Sequence, residues 1–265
     1  MLDPLQALQG AARKPWAHKA SSRRVLVLGG AGALGSALLE QLLAGHRFER
    51  VAVVVEQPMH TAARGLLTVG AQAQAWRSLG ADTAVIAFDR ERHSHGRELA
   101  FLRPQPAQLL PWARQLREAG VSRLLIAVPH RAHLLPQALR QGLATLDEAA
   151  VAGLGFEQLA FMRLASDNRA PEGAGERSRP QALADWMLSQ LHWMIPVIEQ
   201  PVRTTTVARV AVALLLAWPE ASPATRVLPA ALLWHAAQGA SAEGLVRSWL
   251  ADQPLPAPQE PRRRW

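Results

Sequence analysis

The chain has 265 residues, 49% of them apolar and 19% charged, with a formal net charge of +8. That length suits one α/β domain with a C-terminal elaboration, and that balance of residues excludes global disorder. The absence of cysteine excludes disulfides, thiolate metal sites and a cysteine nucleophile.

The positive charge is almost all arginine, since Lys14 and Lys19 are the only lysines. It is scattered, with tight clusters only at Arg23-Arg24 and Arg262-Arg263-Arg264. Without a basic face carrying stacking aromatics, no nucleic-acid partner is expected. The longest apolar run, Val210 to Trp218, is too short to span a bilayer. The first residues, with Asp3, Arg13 and Lys14, lack the apolar centre of a signal peptide, so a cytoplasmic location is the expectation.

Taken in chain order, residues 1–22 form an extension with a short helix through Leu5 and Leu8. Val25 to Leu28 is an apolar run bounded by glycine, as in a strand buried on both faces. Leu34, Leu38, Leu39, Leu42 and Leu43 then recur at helical spacing up to Gly45. Val51 to Val55 is a second buried strand, completing a strand–turn–helix–strand unit of about 30 residues. Residues 57–82 predict at most one short strand, near Leu66 to Val69. Thr83 to Phe88 predicts a central strand, Pro106 to Ala119 a helix closed by Gly120, and Leu124 to Val128 a further strand. Leu134 to Leu154 reads as one amphipathic helix with Leu135, Leu139, Leu143, Leu146 and Ala150 on its apolar side. Leu159 to Met162 is a sixth strand.

The stretch from Asp167 to Pro180 is rich in Gly, Pro, Arg and Glu and reads as an exposed loop. Helices are expected at 181–194 and 206–217, then a short strand around Arg226 to Leu228 and one or two more helices. The tail from Pro254 is proline-rich and ends in arginines, which predicts poor order. Alternating strands and helices predict an α/β fold with a doubly wound parallel sheet. The organisation expected is an extension at 1–22, a Rossmann-type domain at 23–166, a mostly helical elaboration at 167–253 and a flexible tail at 254–265.

The turn after the first strand carries the chemistry. Gly29-Gly30-Ala31-Gly32-Ala33-Leu34-Gly35 can be read as G-x-G-x-x-G or as G-x-x-G-x-x-G. In such a turn one glycine makes the bend, the next lets backbone approach a pyrophosphate, and the last lets helix and sheet pack closely. The helix N-terminus then offers N–H groups and a positive dipole end to phosphates. Glu56, 21 residues beyond Gly35, ends the next strand. A carboxylate there accepts from both ribose hydroxyls and repels a 2′-phosphate. The residues expected to hold a dinucleotide are therefore Gly29, Gly30, Gly32, Ala33, Leu34, Gly35 and Glu56, with NAD preferred over NADP, although Arg64 and His60 lie near Glu56.

From Val25 through Gly35, Thr83 to Phe88, Gly120 to Leu125 and Leu154-Gly155-Phe156-Glu157-Gln158-Leu159 on to Arg163, the sequence resembles the atypical and extended short-chain dehydrogenase/reductases, in particular the NmrA-like NAD(P)H-binding proteins. The resemblance covers roughly residues 23–217 and implies a Rossmann fold with a bound nicotinamide dinucleotide. It also implies a Ser or Thr at the end of the fifth strand and a Tyr-x-x-x-Lys pair on the following helix, the lysine depressing the tyrosine pKa. This chain has no tyrosine, its strand ends Val128-Pro129-His130, and the pair aligns near Leu139 and Leu143. The loop after the fourth strand is the bulky Asp89-Arg90-Glu91-Arg92-His93.

Four histidines follow two adjacent strands: His93 and His95, then His130 and His133. They are solvated loop residues, a proton-transfer group with His130 as the candidate, or zinc ligands completed by Asp89 or Glu91; the loose spacing argues against metal. In Thr204-Thr205-Thr206 one hydroxyl is expected to cap the next helix. Trp186 and Trp193 lie on one helix face and suit core or interface, which leaves room for a homodimer. The leading function is a non-catalytic NAD(P)-binding pseudoenzyme, a sensor or assembly factor, with an unidentified small molecule or protein as partner. The alternatives are an NAD(P)-dependent oxidoreductase using His130 or water as proton donor, and an interaction protein that has lost the nucleotide.

Overall fold

Successive side chains of β1 (Arg24–Leu28) leave the strand on opposite sides, and both sides are apolar. Val25 and Val27 enter one core, Leu26 and Leu28 another, so the strand must lie between two helical layers. The computed structural model describes residues 23–59, 63–88, 99–130, 145–165 and 202–255. Around β1 it assembles β2 (Arg50–Val55), β3 (Leu66–Gly70), β4 (Thr83–Ala87), β5 (Arg123–His130), β6 (Gln158–Ala165) and β7 (Ala224–Leu228). The seven strands run in the order β3-β2-β1-β4-β5-β6-β7, every pair parallel. This is the Rossmann-like, doubly wound α/β sheet that the alternation of elements predicts, with C-terminal helices added.

Helix α1 (Gly32–Leu43) follows β1, and α2 (Ala73–Leu79), α3 (Leu109–Glu118) and α4 (Leu146–Ala152) follow in turn. The C-terminal part supplies α5 (Thr204–Ala217), α6 (Ala230–Ala237) and α7 (Ala242–Leu250). One face of the sheet is covered by α1, α5, α6 and α7 through Leu38, Leu42, Val210, Leu214, Leu232 and Val246. The other is covered by α2, α3 and α4 through Trp76, Leu116 and Val151. Burying such aliphatic side chains contributes about 1.5–3 kcal/mol each before the entropy of ordering the chain is subtracted. Among the described residues no helix is long and apolar enough to cross a membrane.

Three local expectations are corrected. Residues 57–82 hold the one short strand expected, β3, and in addition a helix that was not expected, α2, between β3 and β4. It is only seven residues long, too short for a clear apolar period, and is anchored by buried Trp76, whose Nε1 donates to Gly70 O at 2.9 Å. The helix expected from Leu134 does not run unbroken to Leu154. Thr145 is an N-cap whose Oγ1 accepts from Glu148 N at 3.1 Å, so a helix starts at Leu146. Leu146 is 89% exposed, and Glu148, not a leucine, turns inward. No threonine caps α5 either. Arg203 holds that position without a side-chain bond, and Thr206 Oγ1 instead accepts from Arg209 Nη2 at 3.2 Å.

Candidate functional site

β1 stops at Leu28, and the chain turns through Gly29 and Gly30 into α1. Gly29 has φ +90°, and a Cβ there would collide with the backbone oxygen of Ala87 at the end of β4. A Cβ at Gly30 would stand 2.6 Å from Val53 Cγ2, and one at Gly35 would strike Gly29 O and lie 2.5 Å from Gly30 C. Three of the glycines are thus required by the chain's own packing: the turn is pressed against β4 and β2, and α1 is pressed against the turn. Gly32 differs. Its φ of +75° is a conformation other residues adopt only with strain.

Ala31, the N-cap of α1, makes no side-chain capping bond, and the first turn contains no acidic residue. Ala31 thus offers none of the hydroxyl, amide or carboxylate oxygens that N-cap residues commonly supply. Ala33 is exposed at this end, whereas Leu34 is buried in the core between α1 and the sheet, so only its backbone can serve a ligand. The positive end of the helix dipole at a glycine turn suits an anion, and backbone N–H groups suit phosphate oxygens.

Glu56 follows β2 directly and is exposed at the same carboxyl edge of the sheet. Its backbone N–H donates to Ala100 O at 2.8 Å. β5 runs to His130, two residues beyond the expected Val128, and its backbone lies opposite Ala165 of β6. β4 and β5 are neighbours, as expected, so His130 stands at the same edge as the glycine turn, with β4 between β1 and β5. His93, His95, His133, Asp89, Glu91, Leu139, Leu143, Trp186 and Trp193 lie outside the described residues. Among the described residues no three His, Asp or Glu side chains are grouped as a metal site.

Two features were not read from the sequence. One is the segment Leu99 to Leu102, which lies against the end of β2. The other is an ion pair between Glu148 of α4 and Arg163 of β6, each 7% exposed. An arginine within the apolar strand Leu159 to Ala165 was the available signal, since a buried charge demands a partner. The ion pairs Arg24–Glu49 and Arg123–Asp82 instead involve residues at the starts of strands, on the amino edge away from the glycine turn.

No protein-family model matches the chain, and no curated protein does. Solved structures do resemble it. The reductase domain of a nonribosomal peptide synthetase from Mycobacterium tuberculosis superposes with a TM-score of 0.51 at 14% identity, over 85% of this chain and 70% of that one. Uronate dehydrogenase from Agrobacterium tumefaciens gives a TM-score of 0.43 at 16% identity, over 89% of this chain and 92% of that one. The Bordetella bronchiseptica enzyme WbmH, crystallised with NAD+, gives 0.41 at 14% identity, over 77% and 85%. At such identities the likeness is one of fold, and it is the first of the three that carries it.

Proposed function

We propose that the protein binds a nicotinamide dinucleotide, NAD in preference to NADP, across the carboxyl edge of its sheet, and that it acts as a non-catalytic sensor or assembly factor. The observation that carries this reading is the glycine turn into α1, whose Gly29, Gly30 and Gly35 are packed so closely against β4, β2 and the turn itself that side chains there would collide. A dinucleotide fits such a place because its pyrophosphate needs N–H donors and its ribose needs an acceptor, which Glu56 supplies. Gly29, Gly30, Gly32, Ala33, Leu34 and Gly35 would contribute backbone to that cradle.

Reductase chemistry needs more than the cofactor, which brings only the hydride. A proton must reach the substrate oxygen, and a positioned acid is typically worth about 10²–10⁴-fold. With no tyrosine in the chain, no phenol exists to deliver it. The rival reading, an oxidoreductase with His130 as donor, draws on the extension of β5 to that residue. Calorimetric titration with NADH and NADPH, followed by cofactor absorbance against carbonyl and alcohol panels, separates the two. Binding without turnover supports the proposal. Turnover that disappears in His130→Ala would replace it with the oxidoreductase reading, and absence of binding would reject both.

A further inference from the structure

Resting on the dinucleotide reading, we infer that Leu99 to Leu102 form a strap across the adenosine end of the cleft, which a dinucleotide must displace before it can seat.

The placement follows from strand geometry. Peptide groups along a strand alternate in the side to which they bond. Val51 N donates toward β3, to Gly65 O, so the groups of Val54 and Glu56 face the β1 side. β1 has already ended at Leu28, and Val27 is its last residue registered on β2, opposite Val53. Beyond that point the strap takes the vacated place. Leu102 N donates to Val54 O at 3.0 Å, Glu56 N donates to Ala100 O at 2.8 Å, and Val55 stands opposite Phe101 in an antiparallel bridge.

The strap also meets the glycine turn. A Cβ on Gly30 would lie 3.3 Å from Phe101 Cδ1, so that ring sits beside the turn. Ligands of this fold occupy the crevice where strand order reverses, outside the carboxyl ends of the strands. Here that point is β1, with β2 on one side and β4 on the other. A ribose held by Glu56 while its pyrophosphate rests on α1 must lie between the end of β2 and the turn. Ala100 and Phe101 occupy that corridor.

The strap is anchored on both sides of the sheet. Leu102 is 5% exposed in the core beneath α2 and α3, and Phe101 packs against the core beneath α1 and α5. Leu99, by contrast, is 56% exposed. A strap that merely braced Glu56 would have the opposite effect on binding, so the sign of the response decides between bracing and occlusion.

The test pins the strap in place. Val55 and Phe101 form a non-hydrogen-bonded antiparallel pair, whose Cα atoms stand about 4.5 Å apart in standard geometry, within reach of a disulfide. The chain has no cysteine, so Val55→Cys with Phe101→Cys yields one defined cross-link. NADH binding is followed by fluorescence transfer from tryptophan in the oxidised and reduced forms of that one protein, and in Phe101→Ala. The oxidised form is expected to bind at least about tenfold more weakly than the reduced form, and Phe101→Ala at least about tenfold more tightly than wild type, with faster association. Equal affinity of oxidised and reduced forms would overturn the strap while leaving the dinucleotide reading standing, and so would weaker binding by a Phe101→Ala variant whose melting temperature is unchanged. Failure of wild type, Phe101→Ala and the reduced variant alike to bind NADH would remove the dinucleotide reading and the strap with it.

Discussion

Arg163 Nη2 donates to Glu148 Oε2 at 2.8 Å, joining the first turn of α4 to β6 through two side chains that are both almost completely buried. Arg163 is registered opposite Val128, two residues before His130 ends β5. The pair therefore ties a helix start to the sheet close to the carboxyl edge. Its net contribution is small, because removing two charges from water offsets most of their attraction, but it cannot be broken cheaply.

Removing one partner leaves the other charge buried. Arg163→Met or Glu148→Leu alone is expected to lower the unfolding free energy by about 3–5 kcal/mol. The double replacement should recover most of that loss. Urea unfolding of the three variants checks this, and a double variant no better than the singles would show that the pair does more than neutralise itself.

The proposed phosphate cradle predicts different outcomes for substitutions at Gly35 and Gly32. Gly35→Ala puts a methyl against the backbone of Gly30 and is expected to cost about 1–3 kcal/mol of stability by overpacking. Gly32→Asn keeps a residue that tolerates positive φ, so the fold should survive while NADH affinity collapses. Melting curves and calorimetry on both variants provide the test. Unchanged affinity in folded Gly32→Asn would contradict the phosphate-loop assignment.

Glu56 is expected to set the choice of cofactor. Glu56→Ala should weaken NADH more than NADPH, because only the unphosphorylated ribose gains from the carboxylate. Competition titrations measure the ratio, and equal losses would mean that Glu56 reads no ribose.

Stability should fall on acidification in a way traceable to α7. Glu243 accepts from its own backbone N–H at the helix start, from Arg47 and from the Ser241 hydroxyl, and these hold its carboxyl below the ordinary carboxylate range. Arg24 does the same for Glu49, chiefly by hydrogen bonding. A carboxyl depressed in the folded state stabilises above its unfolded pKa of about 4.3 and loses that contribution as pH falls through the folded value. Glu243→Gln should therefore lower the melting temperature slightly at pH 7 and not at pH 3. The difference should shrink in high salt, because these groups are exposed. An equal decrease at both pH values would assign the effect to packing.

Much of this fold was legible because buried parallel strands must be apolar on both faces. Val25 to Leu28, Val51 to Val55 and Thr83 to Phe88 announce themselves for that reason, and the glycine turn needs no distant partner to be recognised. Local chemistry alone also placed Glu56 at a strand end and excluded a tyrosine donor. The tertiary structure decided what depends on residues far apart in the chain. Leu146 has helical spacing yet faces outward, because Thr145 caps the helix and Arg163 draws Glu148 inside. Phe101 is an ordinary aromatic in sequence, and only the early end of β1 gives it a place beside Gly30. Periodicity reports which side of an element is apolar. What that side meets, and which polar group must be brought in to satisfy a buried charge, is settled only when the layers close.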